Sequence, residues 1–434
     1  WSDGNPADDN GHGTHVAGSA LGNGSLSEGQ HKGMASEAHL FFQACGDGST
    51  YLNIPPLYHL FIEAYDNGSR IHSNSWGSGS VSSYSNKAVA LDNFTWHHPD
   101  MLILFAAGND GPSTETINSP GIAKNALTVG ASENYRPELG KDSDDPSEIA
   151  DFSSRGPTFD GRIKPDVVAP GTSIYSTASS LVYPEDYVYM SGTSMATPIT
   201  AGSVALLRQY FVNNLSIHPS AALLKATLIN GAVDLGYSSN SQGWGCLNLT
   251  NSIVPVFPAH IQLHDNINLS TNTSWTTEYY VDNSQTPLNA TLVWTDYPTT
   301  ASANKALVNN LDLVIISSNN SQYYGNGAPD NVNNVEQVLI DSPEAGWYTF
   351  SVNGTNVPQG NEQPFAFVIS GGSLNNETVV RKATVEPQSI SSDGKESATI
   401  KVELEENLVN PAVYVNLSQL GYPSQQNLTN NNSV

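Results

Sequence analysis

The first 252 residues alternate short apolar runs with amphipathic stretches, and this alternation restricts the fold more than any other feature of the chain. The runs at 40–44, 71–75, 101–107 and 126–130 are continuous, bounded by Gly, Asn or Ser, and short enough to be strands buried on both faces. Between them, 57–67 and 83–96 carry a helical period. Two more helices are expected: 194–212, opened by Thr193-Ser194 and carrying Pro198 in its early turns, and 220–231, with Ser220 as N-cap and Gly231 at its end. Strands and helices in alternation give an α/β fold, a parallel sheet with helices on both faces.

After Asn251 the apolar period becomes two. Residues 276–281, 289–294, 311–316, 335–340, 346–352 and 365–370 alternate in this way, separated by turn clusters and with no helical pattern among them. An antiparallel β-sandwich or jelly-roll is expected over 253–373. Residues 374–434 hold strand-like runs at 398–404 and 412–417 and end in Asn-rich sequence, so they form part of a third β module or a strand-bearing tail. The expected domains are therefore 1–252, 253–373 and 374–434, which suits 434 residues at roughly 150 per domain.

The charge narrows the partners. Sixteen basic residues against 41 acidic ones leave a net −25, a field that repels phosphate and excludes nucleic acid as a partner. No apolar run approaches the ~18–20 residues needed to span a bilayer. No signal peptide opens the chain, so Trp1 is a processed end or an edge within a longer chain. Fourteen Asn-x-Ser/Thr acceptors occur, at Asn23, Asn67, Asn93, Asn214, Asn248, Asn268, Asn272, Asn289, Asn319, Asn353, Asn376, Asn416, Asn427 and Asn431. Together with the low lysine content they point to an extracellular or cell-surface glycoprotein carrying N-linked glycans. Cys45 and Cys246 form one disulfide or remain two buried thiols.

Three segments carry chemistry. In Asn10-Gly11-His12-Gly13-Thr14-His15 an imidazole sits between glycines that allow chain and substrate to approach closely, as a general base requires. In Gly192-Thr193-Ser194-Met195-Ala196-Thr197-Pro198 a serine stands where a loop enters a helix, its hydroxyl exposed and its N–H at the positive end of the helix dipole. In Ala106-Ala107-Gly108-Asn109-Asp110-Gly111 an asparagine follows a buried strand and can aim its amide into a cleft. Singly, each has a bland reading: a loop histidine, an N-cap, an Asn-Asp-Gly turn.

Together, in the order His12, Asn109, Ser194, the segments resemble the subtilisin-like serine proteases, the subtilases. Gly33-Met34-Ala35, Ser73-Asn74-Ser75-Trp76-Gly77, Phe152-Ser153-Ser154-Arg155-Gly156-Pro157 and Lys164-Pro165-Asp166-Val167-Val168-Ala169-Pro170-Gly171 extend the resemblance over residues 1 to about 250. The segments Leu292-Val293-Trp294-Thr295-Asp296 and Asn310-Leu311-Asp312-Leu313 are similar, more loosely, to the C-terminal β-barrel of certain alkaline subtilases. The resemblance implies Ser194 as nucleophile, His12 as base and Asn109 as side-chain oxyanion donor, the scheme worked out for subtilisin itself. It implies Ser75-Trp76-Gly77 and Ala107-Gly108 as the two walls that bind a polypeptide substrate as an added strand. It gives His15 a structural role only. Subtilases often bind calcium, for which Asp296, Asn310 and Asp312 are the candidates. No organic cofactor is expected, and no His/Cys cluster has zinc spacing.

One departure matters. The family's catalytic aspartate lies on a strand ending in Asp-Thr/Ser-Gly, some tens of residues before the histidine. Only eleven residues precede His12, and neither Asp-Thr-Gly nor Asp-Ser-Gly occurs anywhere in the chain. Asp8 and Asp9 match the loop before the histidine motif, not that strand. The aspartate is expected to come from an upstream part, a bound cleaved piece or a neighbouring subunit, or else the fold serves as a pseudoprotease. In subtilisin, loss of the aspartate alone lowers kcat by ~3 × 10⁴. Two functions are therefore expected in competition: a secreted serine endopeptidase completed by a second segment or chain, and a weak or inactive subtilase-fold glycoprotein serving as a filament or surface-coat subunit.

Overall fold

The computed structural model describes residues 7–46, 51–80, 83–253, 261–281, 286–371, 374–375, 380–386, 399–404, 414–415 and 426–427, the last five segments as backbone only. Trp1–Leu374 makes one compact unit and Asn375–Val434 a second.

The first helix, α1 (His12–Leu21), begins at a loop that Asp8 ties down. One Asp8 carboxylate oxygen accepts from the Gly11 N–H at 2.8 Å, and the other accepts from the Thr14 N–H and hydroxyl, each at 2.7 Å. Helix α2 (Leu57–Asp66) leads into β1 (Ile71–Asn74). Helix α3 (Asn86–His97) is capped by Ser85, which accepts from the Ala88 N–H at 3.1 Å, and leads into β2 (Leu102–Ala106). Strands β3 (Leu127–Ser132) and β4 (Val167–Pro170) complete a sheet in the order β1-β2-β3-β4, with every pair parallel. All residues of β2 and β3 are buried, as expected of strands covered by helices on both faces. An antiparallel pair, β5 (Ile174–Thr177) and β6 (Tyr187–Met190), precedes the long helix α4 (Thr193–Asn214). The next helix, α5 (Ala221–Gly231), is buried along its whole length, and Ser220 caps it through the Leu223 N–H at 3.0 Å.

The expected strand at 40–44 does not form. Leu40, Phe41 and Phe42 are 51%, 37% and 41% exposed, and no ladder among the described residues includes them. A strand exists through its neighbours, and here none is paired with that run. Among the described residues the far edge of β1 is likewise unpaired in the sheet, since β1 bonds only to β2 there.

The rest of the first unit is antiparallel. Strands β7 (Gln262–Leu269), β8 (Ser274–Val281), β9 (Leu288–Val293), β10 (Asn310–Ile316), β11 (Gln322–Tyr324), β12 (Val335–Ile340), β13 (Gly346–Asn356) and β14 (Gln363–Ser370) form two sheets. One carries the order β11-β10-β13-β8, the other β12-β9-β14-β7. Their inner faces share a core that includes Leu292, Trp294, Leu313, Phe350 and Phe367. The outer face of the second sheet packs on α5: Val293, Val335, Ala366 and Val368 join the core of the parallel sheet. A buried polar joint adds to this contact. Lys124 Nζ lies 2.5 Å from the Asp296 carboxylate, both side chains fully buried, and Asn125 exchanges two hydrogen bonds with the Asp296 backbone. The sandwich expected over 253–373 thus packs within the same compact unit as the parallel sheet. In the second unit, Val380–Glu386 pairs antiparallel with Thr399–Leu404, and Tyr414–Val415 with Gln426–Asn427.

Candidate active site

Ser194 owes its setting to a proline. Pro198 has no N–H to give to the carbonyl four residues earlier, so the Ser194 carbonyl is left without its helical partner. The Ser75 hydroxyl supplies the bond instead, at 2.8 Å, and the Ser194 hydroxyl sits 3.3 Å from the Ser75 carbonyl. One side of the cleft is thereby fastened to the helix that carries the serine. Ser194 is half-buried, and its N–H belongs to the first turn of α4, where no intrahelical acceptor is available.

Asn109 follows β2. Its Oδ1 accepts from the Thr193 N–H at 2.9 Å and lies 3.0 Å from the Thr193 hydroxyl. With the oxygen so engaged, the amide nitrogen faces outward beside Gly192, at 3.5 Å from where a Cβ on that glycine would stand. The Ser194 N–H and the Asn109 Nδ2–H are then two donors at one place, which is what stabilising an oxyanion requires.

The two expected walls, Ser75-Trp76-Gly77 and Ala107-Gly108, are bridged by a residue the sequence reading missed. A Cβ on Gly77 would meet Asn118 Cβ at 3.0 Å, and one on Gly108 would meet Asn118 Nδ2 at 2.4 Å. Asn118 therefore closes the crevice between the walls, and its amide donates to Asp110 at 2.6 Å. No local spacing signals this role, because Asn118 arrives from a loop folded back after Gly108. Trp76 is held by its indole N–H to Asn74 Oδ1 at 3.2 Å and by an edge contact with Phe105.

His12 is the first residue of α1, which packs on α4. The two helices come close at Gly202, where a Cβ would lie 2.6 Å from the Ala20 carbonyl oxygen; each eight residues earlier stand Ser194 and His12. Among the described residues neither ring nitrogen of His12 has a hydrogen-bond partner, and Ser194 is not bonded to it. Burial lowers the His12 pKa, and the charge of Asp8 opposes this without offsetting it. Asp8 cannot orient the ring, since both of its oxygens cap α1. For Asp8 itself, burial acts to raise the pKa, but hydrogen bonds from Thr14, Gly11 and Asn10 outweigh it and hold the group below the usual carboxylate value. His15 is structural: it is fully buried with Nε2 against the Ile174 and Val188 carbonyls at 3.0 and 3.1 Å.

A cavity of about 860 Å³ opens beside His12. The unpaired edge of β1, residues 38–46 and the α4 residues Ala201, Gly202, Ala205 and Arg208 line it. Two buried polar atoms there, Ser73 Oγ and Arg208 Nε, have no partner among the described residues. The cavity thus combines an open ladder edge, apolar side chains at 40–42 and unanswered polar groups, the surroundings that an added strand would fit.

Other expected sites fare differently. Cys45 and Cys246 are both free thiols. Cys45 lines the cavity on the open side of β1, whereas Cys246 bridges to Val168 on β4. All four strands of the sheet lie between them, a span of roughly 14 Å from β1 to β4 alone at the usual strand spacing, far beyond disulfide reach. The Asp296 carboxylate is already engaged within the protein. It is saturated by Lys124 and by the Val308 and Asn309 N–H groups, each at 2.8 Å. Of the glycan acceptors, Asn23, Asn67, Asn93, Asn214, Asn268, Asn272 and Asn319 are exposed, and Asn248 and Asn353 are half-buried. Asn289 is unsuitable, because its amide nitrogen donates to the Asn230 carbonyl at 2.7 Å and its Oδ1 is buried. Asn376, Asn416 and Asn431 lie outside the described residues, as does the side chain of Asn427.

Residues 1–245 match the peptidase S8 family, the subtilase family. The serine protease/ABC transporter B family protein tagB of Dictyostelium discoideum is 30% identical over 83% of this chain and 27% of its own length. The serine protease AprX of Bacillus subtilis is 36% identical over 57% of this chain and 59% of its own. A subtilisin of Bacillus sp. strain TA39 is 38% identical over 46% of each chain. The chain spans only about a quarter of the length of tagB and its relatives tagD and tagA, at 27%, 28% and 28%.

Proposed function

The chain belongs to the subtilase family of serine proteases, and from that premise we propose that it is an endopeptidase with Ser194 as nucleophile and His12 as base. The Ser194 oxygen bonds to the scissile carbonyl carbon, and its proton passes to His12 and then to the departing amine. The Ser194 N–H and Asn109 Nδ2 receive the oxyanion. The substrate is a polypeptide that lies extended along Ser75-Trp76-Gly77 and Ala107-Gly108. The start of α4 carries this reading: a serine at the helix entrance, its carbonyl bonded by Ser75 and an amide beside it oriented by Thr193.

The carboxylate that orients His12 comes from an extended segment outside these 434 residues, seated in the cavity against β1. The unpaired β1 edge, the exposed run at 40–42 and the unbonded imidazole support this. The test is fluorophosphonate labelling of the native protein with peptide mapping. Rapid modification at Ser194, lost in His12→Ala, supports the reading; an unlabelled, folded protein with an open cleft overturns it.

A second reading keeps the fold and discards the chemistry: a weak or inactive glycoprotein subunit of a filament or coat. The open β1 edge favours it, because a strand donated between neighbours makes a head-to-tail contact that need not close. Sedimentation of the native protein separates the two, since this reading demands polymers. In either reading the protein works outside the cell, supported by its seven exposed glycan acceptors. Treatment with an endoglycosidase should lower the mass of the native protein by several glycans, none of them mapped to Asn289.

A further inference from the structure

Asn118 stands in the crevice between the two walls, and its side chain has little freedom there. Both amide hydrogens are committed, one to Asp110 Oδ2 at 2.6 Å and one to the Thr116 carbonyl at 3.1 Å. The backbone around it is fastened to each wall. The Asn118 N–H donates to the Ala107 carbonyl at 2.8 Å, and the next residue, Ser119, accepts at its carbonyl from the Ser78 N–H at 2.9 Å. Asn118 is 9% exposed. It is therefore a fixed floor of the crevice, and its place follows both walls.

The walls carry glycine where they face this residue. A Cβ on Gly77 would lie 3.0 Å from Asn118 Cβ and 3.2 Å from its Oδ1, and a Cβ on Gly108 would lie 2.4 Å from Asn118 Nδ2 and 2.7 Å from Ser154 Oγ. At that depth the gap is filled to contact, and even a methyl group on Gly108 would displace Asn118. The orientation of the amide is fixed too, because turning it over would set Oδ1 against the Asp110 carboxylate. Oδ1 therefore lies toward Gly77, and among the described residues it accepts no hydrogen bond. Asp110 is exposed, so the floor combines an open carbonyl oxygen with a carboxylate beside it.

We propose that Asn118 restricts the residue on the acyl side of the scissile bond to glycine, alanine or serine. This rests on the reading of Ser194 as the nucleophile of an endopeptidase and names the substrates that reading leaves open. A backbone extended along Ser75-Trp76-Gly77 and Ala107-Gly108 directs that side chain between the walls, where it meets Asn118. A hydrogen or a methyl group needs no movement of the floor, and a serine hydroxyl can donate to Oδ1. An aromatic or long side chain must push Asn118 aside and break its bonds to Asp110 and Thr116. An acidic side chain would face Oδ1 and the Asp110 carboxylate, both negative.

The test uses the native protein and peptides identical except at that one position, which carries Gly, Ala, Ser, Phe, Lys or Glu. The Ala peptide should exceed the Phe peptide by about a hundredfold in kcat/KM, the loss of two hydrogen bonds, one of them to a carboxylate. Asn118→Gly opens the crevice and should reduce that ratio by about tenfold or more. An unchanged ratio in a folded Asn118→Gly protein overturns the proposal. So does a native protein that hydrolyses the Phe, Lys or Glu peptide as well as the Ala peptide, a result that needs no variant and leaves the endopeptidase reading standing. If no peptide is hydrolysed, the endopeptidase reading falls, and calorimetry of the same peptides with Ser194→Ala protein decides the rest. Tighter binding of the Ala peptide than of the Phe peptide supports the role of Asn118, and equal or absent binding overturns it.

Discussion

Single atoms decide the geometry around Ser194. Pro198 withholds one N–H, and Ser75 becomes the partner of the Ser194 carbonyl. Ser75→Ala should therefore lower kcat by roughly tenfold, the loss of about one hydrogen bond, with KM for a peptide ester little changed. Asn109→Ala removes a donor needed only when the oxyanion forms, so kcat should fall about 10²–10³-fold, the range for such donors in this enzyme class. His12 gives a pH test. Burial lowers its pKa, so in the chain alone the neutral, reactive imidazole should persist to lower pH than an ordinary histidine would allow. A carboxylate arriving beside the ring favours the charged form and must move the titration upward. Nuclear magnetic resonance of the His12 ring, with and without the added segment, reads that direction. The family itself was legible in the sequence because the motifs around His12, Asn109 and Ser194 are short and local. The position of Asn118 between the walls was not, because it arises from contacts with residues brought close only by folding.

Among the elements, the helix entrances and most strands followed from local pattern: Ser220 caps α5 as expected, and β12 forms over the residues its alternation marked. The run at 40–44 failed, although its apolar pattern is as good as that of β1. Pattern reports what a segment can bury, and pairing depends on a neighbour distant in sequence. Strand β7 was missed for the opposite reason, since Asp265, Asn266 and Asn268 interrupt its alternation while pairing with β14 still forms. The joint between β9 and the parallel sheet rests on Lys124 and Asp296, both fully buried. Lys124→Met leaves the Asp296 carboxylate buried without its countercharge and should cost about 3–5 kcal/mol, seen as a lower denaturation midpoint in urea.

For the molecule as a whole, the sequence placed a boundary near residue 252, and the change from helical to alternating pattern there is real. It marks a change of architecture within one compact unit, because the outer face of the sandwich completes the core around α5. A chain ended at residue 252 should therefore aggregate or lose its cooperative thermal transition, which circular dichroism would report; a well-folded, monomeric product would contradict that packing. The larger question is what occupies the cavity beside His12. The most direct measurement is a crystal structure of the native protein, from material assayed for hydrolysis of a peptide substrate. It should show an extended segment hydrogen-bonded to Ile71–Asn74, with a carboxylate about 2.6–3.2 Å from a His12 ring nitrogen. An active protein whose β1 edge is unpaired, and whose His12 meets no carboxylate, would contradict the account.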